Sequence, residues 1–201
     1  MNLKRRIIKL LHPLTTITLE PTNDCNMDCS YCPRKMRPVG YMDFNLFKRL
    51  VNEIPSKTHI SLSFGGESIL HRRFEEMAKL AHQKFGQVSV KTNETLKYPN
   101  FVHAEPGIKP PPVIFTYNQK FRDGVPNGWK PRYNYCIAPY YSMVILWNGD
   151  VTVCCHDVAG VRVLDNVMAK SVVDVWKGKA YRNLRRKGFC EGCELYKYYG
   201  K

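Results

Sequence analysis

Cysteine is the residue type best equipped for chemistry in this chain, and its eight copies are grouped. Cys25, Cys29 and Cys32 fall within eight residues as Cys-x3-Cys-x2-Cys. Cys136 stands alone, Cys154 and Cys155 are adjacent, and Cys190 and Cys193 form Cys-x2-Cys. Grouped thiols without a secretion signal point to metal or redox chemistry rather than a disulfide framework. A chain of 201 residues can also build its core without staples. Three thiolates in one short loop can wrap a soft metal centre. Structural zinc takes four closed ligands, and no fourth Cys or His lies near this loop in sequence. A [4Fe–4S] cubane held by three cysteines leaves one iron open, as a catalytic metal keeps an open position.

The elements around these residues decide where they fall. Alternation predicts a strand over 15–20, ended by Pro21 and Asn23-Asp24, with the cysteine loop directly after it. Phe44, Phe47, Leu50, Val51 and Ile54 recur at helical spacing behind a capping Asp43, so a helix is predicted over 43–54. A second strand is predicted over 58–64, running into Gly65-Gly66-Glu67. A second helix follows over 72–85, stopped by Gly86, and a third strand over 87–92. That alternation implies a parallel α/β sheet or barrel. In such folds the ligand site lies at the C-terminal ends of the strands. The cysteine loop, Gly65-Gly66-Glu67 and Thr92-Asn93 should therefore share one rim.

The pattern breaks after Asn93. Residues 94–135 carry prolines at 99, 106, 110, 111, 112, 126 and 131, leaving at most one further βαβ unit and arguing against even that; Val113–Tyr117 is a candidate strand. A hairpin is then predicted from two strands over 142–147 and 150–154, joined by Asn148-Gly149, a pair suited to a type I′ turn. Strand alternation turns Cys155 away from Cys154 and makes it a spare thiol. A single basic helix is predicted over 171–187, with Ser171 and Asp174 resembling a capping box. Its Lys177, Lys179, Arg182, Arg185, Arg186 and Lys187 read as a solvated face. Trp147 and Trp176 read as core, and His156-Asp157 as a surface pair.

The Cys25/Cys29/Cys32 spacing after a first strand resembles the radical S-adenosylmethionine (radical SAM) superfamily. The resemblance implies that Cys25, Cys29 and Cys32 bind a catalytic [4Fe–4S] cluster. Its open iron would chelate S-adenosylmethionine, and reductive cleavage would yield a 5′-deoxyadenosyl radical that abstracts hydrogen from a substrate. Gly65, Gly66 and Glu67 match the family's Gly-Gly-Glu, which binds the methionine amino group; Ser68 stands where proline is usual. Glycines let backbone approach, and a carboxylate accepts from an ammonium. Tyr31 fills the aromatic position near the adenine. Asn93 ends a Thr-Asn like that closing the third strand, with Glu94 in place of glycine. The hairpin and last cysteines resemble the SPASM/twitch module, which implies an auxiliary [4Fe–4S] cluster on Cys136, Cys154, Cys190 and Cys193. A four-cysteine zinc site is the alternative for that set.

The resemblance covers 15–93 and 136–193. It divides the chain into a contracted partial β/α (TIM-like) barrel over 1–135 and a hairpin-plus-helix auxiliary module over 136–201. It implies an α/β enzyme, an electron donor such as a flavodoxin or ferredoxin, and a small-molecule or peptide substrate. The shortened barrel has an open flank, which suits a large substrate. A non-enzymatic iron–sulfur carrier or redox sensor is the chief rival. The net charge of +14 favours anionic partners and would also suit a zinc-stabilised nucleic-acid-binding module, which ranks behind both. No apolar run approaches the ~20 residues needed to span a bilayer. The apolar N-terminal stretch is interrupted by Lys9 and His12-Pro13, so it reads as a short basic helix rather than a signal peptide. The expected location is the cytoplasm.

Overall fold

Ile17 and Leu19 are fully buried while Thr16 and Thr18, which alternate with them, are only partly covered, and this alternation sets β1 (Thr16–Leu19) in the sheet. The computed structural model describes residues 13–29, 32–106, 138–152, 154 and 157–187. Tyr31, Cys136, Cys155, His156, Cys190, Cys193, the expected N-terminal helix and the candidate strand at Val113–Tyr117 lie outside the described residues.

After the cysteine loop, a 3-10 turn at Pro33–Met36 leads to α1 (Phe44–Glu53). The Asp43 carboxylate caps α1 by accepting from the backbone N–H groups of Asn45 and Leu46 at 2.8 and 3.0 Å. Leu46, Phe47, Leu50 and Val51 form its buried face. β2 (His59–Leu62) pairs in parallel with β1, Ile17 opposite Ile60. α2 (Phe74–Phe85) buries Phe74, Met77, Ala78 and Ala81. Gly86 ends it with φ of 76°, a left-handed position that glycine adopts without strain.

α2 starts later than its apolar spacing predicts, because the chain first turns around His71. Phe74 N–H donates to the His71 carbonyl at 2.8 Å, and Arg73 N–H to His71 Nδ1 at 3.1 Å. His71 Nε2 donates to the Met42 carbonyl at 3.0 Å, so the ring is neutral and fully used. Burial holds its pKa below the usual imidazole value, with Arg72 and Arg73 adding to the shift. The folded chain thus binds fewer protons here than the unfolded chain. The stabilisation is complete above about pH 6.5 and declines as pH falls through the window below it, by at most about 1.4 kcal/mol per pH unit. His71→Gln is expected to flatten the pH dependence of urea unfolding between pH 7 and 5.

β3 (Val88–Thr92) pairs with β2, and β4 (Val102–Pro106) pairs with β3, all in parallel. β4 is a strand the proline-rich sequence did not predict. Its link to β3, residues 93–101, holds no helix and is shorter than the dozen or so residues usual for a parallel crossover.

The hairpin strands β5 (Ser142–Ile145) and β6 (Asp150–Thr152) form as predicted, but their turn differs. Gly149 N–H donates to the Leu146 carbonyl at 2.9 Å, Leu146 N–H donates to Asp150 O at 2.8 Å, and only Gly149 has positive φ, 86°. This is a type I turn followed by a left-handed glycine, not a type I′ turn. The cause is Asn148, whose side-chain oxygen accepts from Asp150 N–H at 3.1 Å. β5 pairs in parallel with the free edge of β1, Thr16 opposite Ser142 through Leu19 opposite Ile145. β6 and the short β7 (Asp165–Asn166) continue antiparallel. One seven-stranded sheet results, in the order β4-β3-β2-β1-β5-β6-β7. The expected mixed α/β architecture, a parallel β/α layer followed by hairpin and helix, is the observed one.

The predicted basic helix is broken into α3 (Val172–Lys177) and α4 (Lys179–Lys187) at Gly178, which is extended at φ −64°, ψ 168°. Ser171 caps α3 by accepting from Asp174 N–H at 3.1 Å. The break folds Tyr181 against Trp176, ring centroids 4.8 Å apart. It also buries Arg185, which the solvated-face reading missed: its guanidinium lies 3.9 Å from the Trp176 ring centroid and donates to the carbonyls of Pro139 and Trp176 at 2.8 and 2.9 Å. Lys177, Lys179, Arg182 and Arg186 are exposed as expected. Trp176 is part of the core, and Trp147 is partly buried and packs against the core cluster.

Asp157 is buried rather than superficial. Its carboxylate accepts from Thr152 Oγ1 at 2.9 Å and from the N–H groups of Val161 and Arg162 at 3.0 and 2.9 Å. Asp157→Ala removes the acceptor of these three hydrogen bonds and is expected to cost about 2 kcal/mol in urea unfolding. Among the described residues no helix is long and apolar enough to cross a membrane.

Candidate functional site

The C-terminal ends of β1, β2 and β3 bring the cysteine loop, Gly65-Gly66-Glu67 and Asn93 to one rim. The base of the cysteine loop is latched on both sides. Thr22 Oγ1 donates to the Gly40 carbonyl at 2.7 Å, Gly40 N–H donates to Asn23 Oδ1 at 2.8 Å, and Asn23 Nδ2 donates to the Pro38 carbonyl at 2.8 Å. Asp24 accepts from Cys25 N–H at 2.8 Å and from the Tyr41 hydroxyl at 2.5 Å. Within the loop, Cys32 N–H donates to Cys29 O at 3.2 Å, and Arg34 reaches across to the Met27 carbonyl at 2.9 Å.

Cys25, Cys29 and Cys32 are free thiols and partly buried. Burial pushes the Cys32 thiol up, and the neighbouring Cys29 and Cys25 add to that, against a lowering by Arg34. A soft metal centre would displace these protons and relieve the mutual repulsion. Among the described residues no three His, Cys, Asp or Glu side chains converge on a single ion. Cys25 and Cys29 both act on the Cys32 thiol, so three soft donors lie near one another on one loop, a donor set that fits an iron–sulfur cubane.

The other motifs close on this loop. Glu67 N–H donates to the Asp24 carbonyl at 2.7 Å. A Cβ on Gly66 would lie 2.2 Å from Asp24 O and 2.7 Å from Thr22 O, so glycine alone permits this approach. Asn93 Nδ2 reaches Cys25 Sγ at 3.7 Å and Asn26 Oδ1 at 2.9 Å. The Glu67 carboxylate is buried and occupied from within. It accepts from Thr92 Oγ1 at 3.1 Å, from Asn93 N–H at 2.8 Å and from the Tyr98 hydroxyl. Glu67 therefore ties the second strand end to the third, while the Gly65–Gly66 backbone lies against the cysteine loop. Burial and the neighbouring carboxylate push the Tyr98 hydroxyl pKa far above the usual phenol value, so it stays a donor.

Sequence reasoning missed Tyr98, Asp24, Glu20 and Arg37. Tyr98 lies in a proline-rich stretch with no motif around it. Glu20 and Arg37 pair at 2.6 Å although separated by the whole cysteine loop, and no spacing rule links them. Of the expected second set, Cys154 is described; it follows β6 and packs against the core.

A scan of family models matches residues 19–104 to the radical SAM superfamily and residues 136–194 to an iron–sulfur cluster-binding domain, SPASM. The chain carries a radical SAM domain followed by a SPASM domain. The solved structure of BtrN in complex with AdoMet and 2-DOIA superposes with a TM-score of 0.66 at 19% identity, covering 87% of each chain. Streptococcus suis SuiB bound to precursor peptide SuiA gives a TM-score of 0.63 at 12% identity over 91% of this chain and 69% of that one. These radical SAM neighbours share the fold. Among curated proteins, 7-carboxy-7-deazaguanine synthase of Methanospirillum hungatei JF-1 is 36% identical over 77 residues, 37% of this chain. The chain spans about a third of that relative's length, 32%.

Proposed function

We propose that this chain is a radical SAM enzyme acting at the rim of β1–β3 on a small-molecule or peptide substrate. Cys25, Cys29 and Cys32 hold a [4Fe–4S] cluster, and Gly65, Gly66 and Asn93 line the cofactor beside it. Glu67 works mainly by fixing the ends of β2 and β3 in place. Tyr31, outside the described residues, takes the adenine side. When bound, the cluster and S-adenosylmethionine supply reductive cleavage to a 5′-deoxyadenosyl radical; the protein supplies orientation and shielding. Cys136, Cys154, Cys190 and Cys193 hold an auxiliary cluster, in a module over 136–201 set against a partial barrel over 1–135. A flavodoxin- or ferredoxin-like donor supplies the electron. A reducing cytoplasm is the compartment that keeps such thiols available.

The observation that carries this reading is the convergence of two further motifs on the cysteine loop. Asn93 reaches Cys25 Sγ, and Glu67 N–H holds the carbonyl preceding Cys25. The structural neighbours support the cofactor and both substrate classes: BtrN holds AdoMet and 2-DOIA, and SuiB a precursor peptide. The test is anaerobic reconstitution with iron and sulfide, then reduction in the presence of S-adenosylmethionine. The expected product is 5′-deoxyadenosine, absent without reductant. A reconstituted, reducible protein that forms none supports the electron-carrier alternative instead.

A further inference from the structure

Glu20, the residue that follows β1, is completely shielded from solvent. Its carboxylate receives donors from three segments. Arg37 grips it with both terminal nitrogens at 2.6 and 2.8 Å. Gly65 N–H donates to Oε1 at 3.0 Å, and Trp147 N–H to Oε2 at 3.3 Å. Arg37 Nε then donates to the Val158 carbonyl at 2.9 Å. β2, β1 and β5 are neighbours in the sheet, so one carboxylate binds the ends of three adjacent strands. Through Arg37 it also reaches the loop that follows Cys154.

A buried ion pair is a poor device for stability alone, since well-packed apolar residues of the same size usually do as well or better. What an apolar pair cannot do is fix the direction of two backbone N–H groups. Here those groups belong to the cofactor turn and to the hairpin. The turn rests directly on the pair: a Cβ at Gly65 would sit 2.5 Å from Arg37 Nη2 and 2.7 Å from Glu20 Oε1.

We propose that Glu20 and Arg37 are positioning residues that set the Gly65–Gly66 turn in register with the cysteine loop and the β5–β6 hairpin, and thereby govern affinity for S-adenosylmethionine. Both act through Gly65 rather than by touching the cofactor. The proposal rests on the reading that this rim binds S-adenosylmethionine.

The test compares reconstituted wild type, Glu20→Gln, Arg37→Met and the double variant. Two quantities are measured: the thermal midpoint, and S-adenosylmethionine affinity by equilibrium dialysis of the unreduced protein. Each single change leaves a buried group without its partner. Each is expected to lower the midpoint and to weaken binding about tenfold or more. The double variant has no lone buried charge and is expected to recover much of the midpoint while binding stays about tenfold weak. Recovery of affinity together with the midpoint would make the pair merely structural and overturn the proposal, as would single variants that bind like wild type. If the double variant does not fold, Arg37→Lys decides. It keeps the charge but loses the two-pronged grip and the Nε contact. Weakened binding with wild-type melting supports the proposal, and any other outcome overturns it. Wild type that fails to bind S-adenosylmethionine would instead remove the underlying reading.

Discussion

Alanine at Cys25, Cys29 or Cys32 is expected to abolish 5′-deoxyadenosine formation and to lower iron from about eight to about four atoms per reconstituted chain. Each thiolate of a three-cysteine cubane holds a different iron, so the loss of one opens a second iron to solvent and the cluster falls apart. The fold should survive. The loop is latched by Thr22, Asn23 and Asp24 against Pro38, Gly40 and Tyr41, none of which depends on a thiol. Circular dichroism and thermal melting of the iron-free variants should match iron-free wild type. Cys155→Ala, at the cysteine taken as a spare thiol, should leave iron content unchanged. Iron and sulfide analysis of the four variants side by side separates catalytic ligands from bystanders.

Gly66→Ala is expected to be the most damaging single-carbon change at the rim. The added methyl would meet Asp24 O at 2.2 Å, Asn23 C at 2.6 Å and Thr22 O at 2.7 Å. All three are backbone atoms of the latched segment, so no side chain can swing aside to make room. Either the Gly65–Gly66 turn lifts off the cysteine loop and breaks the Glu67-to-Asp24 hydrogen bond, or the latch opens. The expected cost is about 3 kcal/mol in urea unfolding. The expected effect on affinity is a rise of about 100-fold or more in the S-adenosylmethionine dissociation constant, since a turn displaced by an ångström no longer meets its ligand. Gly86→Ala is the control. Gly86 has nothing within 4 Å of an added Cβ, so that change should cost only the strain of a positive φ.

What the sequence disclosed follows from how local the controlling interactions are. β1, α1, β2, α2 and β3 were legible because apolar period, an Asp43 cap and a Gly86 stop all act within a few residues. The shared rim followed from the alternation itself. Gly178 was harder to read: glycine inside a basic helical pattern is tolerated often enough that the break into α3 and α4 showed only when Tyr181 packed on Trp176. Arg185 illustrates the same limit, since its burial depends on that fold-back. β4 escaped because prolines mask its pattern and it joins β3 without the usual helix. At the site, cysteine spacing and the Gly-Gly-Glu motif were visible, but the partners of Glu67 and Glu20 were not. Tyr98 and Arg37 reach these carboxylates from distant segments, and no local pattern encodes such a contact. The same distance explains why the contacts of the Glu67 carboxylate with Thr92, Asn93 and Tyr98 were not foreseen.

The central claim is an incompletely ligated iron on the Cys25–Cys32 loop that accepts a sulfonium nucleotide. Electron paramagnetic resonance of the reduced, reconstituted protein, recorded before and after addition of S-adenosylmethionine, addresses it directly. The account predicts a reduced [4Fe–4S] signal whose line shape changes on addition, with the change absent in Cys25→Ala. An unchanged spectrum, or a protein that retains zinc and takes up no sulfide, would contradict it.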